Sequence, residues 1–409
     1  MAPVTEGGAR AARRGPLAGL HPSVLGLVAA SCVEWAGATA VLPVLPLFIR
    51  HGGASYALIG VVMGAFLAAS FVVQYPLGRL SDRVGRRGPL VLSLGLYAVV
   101  TVVYVVPVAP PVYILLRALQ GAAAGTTQVV AQTVVADLVP VDRRGRAYGL
   151  LNGSQFGGMV VGPVAGALLY TRQPSLVFVA AAVAALAAAV TVGVTVPRGR
   201  PPARPPQPRR TGGEESLRRR VVQGVMVVSA GTGLLIGVYD ADWSLLLRSK
   251  GAPPWEVGLS FTLFALPLVA ASWPAGWLAD HRDRRWLGGL ALLVGCACAA
   301  VYPFLPAPPY LMALGVIEAS ATAIGFPAVL SLLMQTVGTG RAGRAQGMAG
   351  SAQTGAAAVG ATVGGLLFGL GPWAPFVGAA AVVAAMTGSL PFLWGSAARW
   401  ARADRARAT

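Results

Sequence analysis

Apolar positions in this chain come in long unbroken runs. Twelve of them, about 20 residues each, lie near 22–48, 56–78, 89–107, 111–137, 146–170, 175–196, 221–247, 254–278, 286–305, 309–334, 344–369 and 373–395. An apolar run of that length predicts a helix that meets no water along its sides, and about 20 residues cross ~30 Å of hydrocarbon. Gly and Pro recur inside the runs. Soluble helices resist both, whereas membrane helices tolerate them. The pattern predicts an all-α polytopic membrane protein with twelve transmembrane helices.

The polar stretches between the runs carry most of the charge. Only 11% of the 409 residues are charged, yet the net charge is +18. With the N-terminus placed inside, alternate segments hold 27 basic residues on one side and four on the other. That asymmetry predicts plasma (inner) membrane insertion with both termini cytoplasmic, and it excludes nucleic acid as the reason for the basic charge. The arginines at positions 10, 13 and 14 precede an apolar stretch as in a signal peptide, but the run continues to Phe48 and reads as the first span. Residues 197–220 hold six prolines and eight arginines and predict a disordered cytoplasmic linker. The expected organisation is a tail (1–21), a six-helix half (22–196), the linker (197–220), a second half (221–395) and a tail (396–409). Cys32, Cys296 and Cys298 read as small buried side chains. No metal spacing, phosphate-binding glycine loop or nucleophile elbow occurs in the sequence. The expectation is therefore no enzyme, no metal and no cofactor beyond a proton gradient.

The two halves repeat at one constant offset in residue number. Gly78 meets Gly276, Asp82 meets Asp280, and Arg86 and Arg87 meet Arg284 and Arg285. Pro76 meets Pro274, Gln120 meets Glu318, Gln155 meets Gln353, and Gly149, Gly162 and Gly166 meet Gly347, Gly360 and Gly364. One gapless offset that aligns acids, bases and glycines predicts parallel repeats about an axis along the membrane normal.

These stretches resemble the major facilitator superfamily over nearly the whole chain. "GRLSDRVGRR", 78–87, resembles its signature between spans two and three; the second copy, "GWLADHRDRR", is degraded, with Asp283 in place of Gly85. "RALQG", 117–121, resembles the span-four motif whose arginine is tied to proton coupling. "GLLNGSQFGGMVVGPVAG", 149–166, resembles the span-five antiporter motif of exporters, through Gly149, Gly158, Gly162, Pro163 and Gly166. "EWAGATAVLPVLP", 34–46, resembles the first span of twelve-span drug:proton antiporters. The resemblance implies two pseudo-symmetric six-helix halves, and a latch at 78–87 that holds the outward-facing state.

Physical chemistry assigns parts to these residues. Gly78 and Gly85 permit tight turns, and Asp82 can sit at the N-terminus of a neighbouring helix. Arg83, Arg86 or Arg87 can pair with Asp137, in one orientation of the halves only. Gly158, Gly162 and Gly166, four residues apart, are expected to pack span five across the halves and seal against proton leak. Glu34, Asp240, Glu318 and Arg117 fall inside spans, where an unpaired charge costs several kcal/mol, so they should line a cavity or pair. Glu34, deep in span one, is the first candidate for proton exchange. Asp240 is second, and Glu318 could pair with Arg117 or a substrate. Asp242 reads as a wetted rim position. Trp35, Gln120, Asn152, Gln155, Tyr239, Trp243, Phe326 and Gln353 complete a candidate pocket for amphipathic or cationic organic molecules, with Asn152 and Gln155 on one face.

The function expected is a monomeric, proton-coupled exporter of small organic molecules, drugs or secondary metabolites, with partners limited to substrate, protons and the lipid bilayer. The alternatives are a sugar or metabolite carrier of the same fold, or a transport-dead sensor or scaffold.

Overall fold

The computed structural model describes residues 22–106, 108–140, 143–199, 215–270, 278, 282–337 and 342–408. The expected N-terminal tail, most of the linker and the positions of Pro274, Gly276 and Asp280 lie outside the described residues. Among the described residues the regular structure is helical. The first half comprises α1 (Pro22–Val41), α2 (Leu45–His51), α3 (Tyr56–Val84), α4 (Arg87–Val103), α5 (Val112–Leu138), α6 (Arg144–Arg172) and α7 (Pro174–Thr195). The second comprises α8 (Glu215–Ser249), α9 (Pro254–Ala270), α10 (Arg284–Val301), α11 (Pro308–Val337), α12 (Ala342–Phe368) and α13 (Ala374–Ala408). Together α1 and α2 form one span, which gives the twelve expected.

Two expected boundaries move. Residues 215–220 of the predicted linker already belong to α8, and the predicted tail from 396 continues α13 to Ala408. Composition explains the difference: the prolines end at Pro208, and "EESLRRR" and "AARWARADRARA" are good helix formers.

Among the described residues, seven spans are long and apolar enough to cross a membrane by themselves. Helices α5, α6 and α12 are 27 to 29 residues long but rich in Gly, Gln, Ser and Thr. They sit among other helices, where such residues find partners.

The repeat is visible in the backbone and in side-chain contacts. After α2, Arg50 Nη1 donates to the Ala54 carbonyl at 2.8 Å; after α8, Arg248 Nη1 donates to the Ala252 carbonyl at 2.7 Å. Between them Gly53 and Gly251 both hold φ +88°. These pairs, too, are related by the offset that joins Gly78 to Gly276. One local difference has a clear cause. Pro43 and Pro46 lack the amide hydrogens a helix needs, and the first span breaks between α1 and α2. Their counterparts, Ala241 and Ser244, leave α8 continuous.

The halves meet through two equivalent crossings. A Cβ on Gly60 of α3 would lie 2.7 Å from the Ala361 carbonyl oxygen and from the Gly365 Cα of α12. Its counterpart Gly258 of α9 meets the Pro163 carbonyl and Ala167 of α6. Thr262 donates to the Val160 carbonyl at 2.7 Å, and Tyr56 packs on Phe368 with ring centroids 4.9 Å apart. These contacts lie at the end of the bundle away from the linker, and reach the middle where Phe71 approaches Gly355.

Candidate functional site

At the linker end, "GRLSDRVGRR" is mostly helix. α3 runs through Gly78 and Asp82 to Val84, and the turn is made at Gly85, φ +91°. Gly78 therefore makes no turn; it faces Val129 of α5. Arg86 is the arginine that pairs with Asp137, at 2.8 Å, and it also donates to Ser81 at 2.7 Å and binds Asp82 at 2.6 Å. Arg83 is exposed and Arg87 half-buried. The Arg86–Asp137 pair joins α4 to α5 within one half, so rocking of the halves does not itself break it, contrary to the sequence expectation. Asp82 is 61% exposed and rests on Arg86, not on a helix N-terminus of the other half among the described residues.

The second half carries a copy that motif matching overlooks. Arg284 donates to Gln335 at 2.7 Å, and these two are the repeat counterparts of Arg86 and Asp137. Asp283, φ −66°, caps α10 by accepting from the Arg285 amide, so no positive φ is needed there.

The antiporter glycines lie on α6, but they face α1 of their own half. Gly158 packs on the Cys32 carbonyl and Trp35, Gly162 on Ala36 and Thr39, and Gly166 on Ala40. The expectation of packing across the halves is therefore corrected. Pro163 does reach the other half, through its carbonyl. Gly149 faces open space. Gly360 and Gly364 pack α12 on Leu234, Val238 and Asp242 of α8 in the same manner.

In the first half, Arg117 and Gln120 of α5 are buried. Gln120 accepts from Tyr104 at 3.3 Å and Arg117 at 3.2 Å, and donates to Thr101 at 2.8 Å. Arg117 lies over the Phe66 ring at 4.4 Å, a cation–π contact, and reaches Met63. In the second half, Glu318 of α11 is 3% exposed and accepts from Tyr302 at 2.6 Å and from Tyr239 at 2.9 Å. Glu318 does not pair with Arg117. Tyr302 is the repeat counterpart of Tyr104, so the tyrosine donor repeats along with the residue it serves. The aromatic neighbours repeat as well: Tyr104 stacks on Phe178, and Phe376 lies among Tyr239 and Trp243.

Glu34 is 7% exposed and lines a small internal pocket with Ser31, Leu94 and Thr127, inside the first half. Asp240 is half-buried on α8. Asp242, expected to be wetted, is 0% exposed against Gly364, and neither oxygen has a hydrogen-bond partner among the described residues. The signal that could have found this is the repeat itself: Asp242 stands where the first half has Val44, a core position.

The candidate pocket does not assemble as one wall. Trp243 is buried and donates to Ser260 at 2.9 Å within an aromatic cluster. Gln155 is buried and donates to Gln128 at 3.2 Å, whereas Asn152 is exposed. Trp35 and Gln353 are half-buried and Phe326 is 52% exposed. Gln120, Tyr239 and Glu318 belong to the polar cores just described.

The family described as Major Facilitator Superfamily matches residues 27–239 and again 221–405. The chain is 27% identical over 277 residues to the class E tetracycline resistance protein of Escherichia coli, covering 63% of this chain and 66% of that protein. It is 35% identical over 165 residues to the class C protein of Escherichia coli, 39% of this chain and 40% of that protein. Multidrug resistance protein MdtL of Shewanella sp. (strain ANA-3) is 24% identical over 331 residues, 79% of this chain and 83% of its own. Among solved structures, a POT family transporter in complex with 5-aminolevulinic acid superposes with a TM-score of 0.78 at 12% identity, over 92% of this chain and 98% of the other. The nucleoside transporter NupG gives 0.72 at 12%, over 91% and 99%. At such identities the likeness concerns the fold alone.

Proposed function

The chain belongs to the major facilitator superfamily, a multi-pass membrane transporter fold, and from that membership we propose that it is a proton-coupled exporter of small organic molecules, drugs or secondary metabolites. The relatives named for tetracycline and multidrug resistance support export of drug-like molecules. The basic inside segments support an inner-membrane orientation with both termini in the cytoplasm.

The observation that carries the reading is the arrangement of charge about the interface between halves. Arg117 is buried in the first half and Asp240 half-buried in the second, and Glu34 and Glu318 are buried, one in each half. The halves touch at the end away from the linker, through glycine-lined crossings. A substrate enters between the halves from the linker end, and rocking about those crossings exposes it to the other side. Glu34 exchanges the proton in the first half; Asp240 and Glu318 are the acids available in the second. One proton entering down ~150 mV supplies about 3.5 kcal/mol, enough for a gradient of a few hundredfold in a neutral solute. The antiporter glycines hold α6 against α1, the helix that carries Glu34, and Gln155 ties α6 to α5 through Gln128.

The test is substrate-induced proton flux in proteoliposomes, screened over a chemical library, with Glu34→Gln beside wild type. Wild type should couple flux to at least one amphipathic compound. Glu34→Gln should lose accumulation driven by a pH gradient and keep downhill exchange. A variant that accumulates substrate as wild type does would make Glu34 a structural acid.

A further inference from the structure

A cleft of about 390 Å³ opens at the linker end between the start of α4 and the end of α7, apart from the interface between halves. Its polar wall comprises Arg87 at the first position of α4 and Arg198 just beyond α7. Neither arginine has a hydrogen-bond or ion-pair partner among the described residues, in contrast to Arg86 beside them, which is committed to Asp137, Asp82 and Ser81. Two guanidinium groups that line one cleft without a carboxylate partner among the described residues make a site for an anion.

The rest of the cleft identifies the anion. Beside the arginines its wall is apolar and open to the outside: Val84 is 62% and Leu92 75% exposed, and the neighbouring Val194 of α7 is 79% exposed. In a membrane-spanning bundle those side chains face acyl chains, with the arginines at headgroup depth. Glycine opens the space. Gly88 has nothing within 4 Å of its Cβ position, and its repeat counterpart is Trp286. The second half carries an indole where the first leaves this space.

We infer that this cleft binds the phosphodiester headgroup of an anionic phospholipid, with Arg87 and Arg198 on the phosphate and Val84, Leu92 and Val194 along the acyl chains. The bound lipid ties the start of α4 to the end of α7, next to the Arg86–Asp137 pair.

The test uses native mass spectrometry of the full chain in detergent, titrated with phosphatidylglycerol or phosphatidylcholine of the same acyl composition. Phosphatidylglycerol should bind at about tenfold lower concentration than phosphatidylcholine. The double variant Arg87→Gln/Arg198→Gln should abolish that preference. Gly88→Trp, which fills the cleft and leaves the charge intact, should abolish it too. Millimolar inorganic phosphate should leave lipid binding unchanged. Equal retention of the two lipids, or an unchanged preference in both variants, would overturn the inference. Displacement of the lipid by inorganic phosphate would assign the arginines to the free ion and overturn it as well. Thermal unfolding of each variant with wild-type cooperativity keeps loss of fold from being read as loss of the site.

Discussion

The two halves place amides and carboxylates in opposite patterns. Inside the bundle the first half has Gln120, held by Tyr104 and Arg117, where the second has Glu318, held by Tyr302 and Tyr239. At the linker end the pattern inverts: Arg86 meets Asp137 in the first half, and Arg284 meets Gln335 in the second. The framework of donors is kept, and the ionisable acceptor has moved. A repeat that keeps hydrogen-bond geometry while relocating charge can divide labour. The first half pairs Arg86 with a carboxylate at the linker end, and the second places a carboxylate inside the span at the position of Gln120.

Making the halves alike tests that division. The largest effect is expected from Glu318→Gln, which gives both halves an amide at this position. Accumulation driven by a pH gradient in inverted vesicles should fall at least tenfold, with downhill exchange kept within about twofold, because Gln accepts from one tyrosine and donates to the hydroxyl oxygen of the other. If accumulation is unaffected, the acid in the second half is structural and the comparison fails.

Next comes Asp137→Asn, which copies the Gln335 arrangement into the first half. Arg86 is only 8% exposed, and the variant leaves it the 61% exposed Asp82 as counter-charge in place of the buried Asp137, a loss of ~1–3 kcal/mol. The melting temperature should fall by several degrees and transport should fall with it. The reciprocal Gln335→Glu should raise the melting temperature slightly, as its arginine is already in place.

A finer comparison sets Tyr302→Phe against Tyr104→Phe. A hydrogen bond to a carboxylate contributes ~1.5–3 kcal/mol and one to an amide ~1. The first variant should shift the pH dependence of transport, and the second should leave it unchanged. Equal shifts would show that the two tyrosines act only as packing. The smallest effect belongs to Arg50→Ala and Arg248→Ala. Each removes one turn-capping contact, and the two should lower thermal stability equally, by ~1 kcal/mol.

Much of this is legible in the sequence because membrane insertion is written in run length and arginine placement, both local quantities. A single numerical offset reveals the two halves and even pairs Gln120 with Glu318. Partners are less legible. The antiporter glycines announce close packing, but not that α1 of the same half is what they pack against. Four-residue spacing defines a face and leaves its neighbour open. Asp242 misleads because proximity to a span's end suggests water, whereas α12 covers it through Gly364, a residue far along the chain. Gly78 misleads because a motif framed by glycines resembles a loop, yet α3 runs through it. Applying the same offset to residues outside the motifs would pair Tyr104 with Tyr302 and Arg50 with Arg248.

The break at Pro43 and Pro46 makes the first span a jointed lever and leaves α8 a rigid rod. A spectroscopic label on Leu45–His51 therefore reports movement of the adjoining turn without reporting on the segment that holds Glu34. A label near Arg248 reports both, since any tilt of that end is carried along α8 to Asp240. Paired probes at these two sites would separate in time the flexing of one half from the tilting of the other.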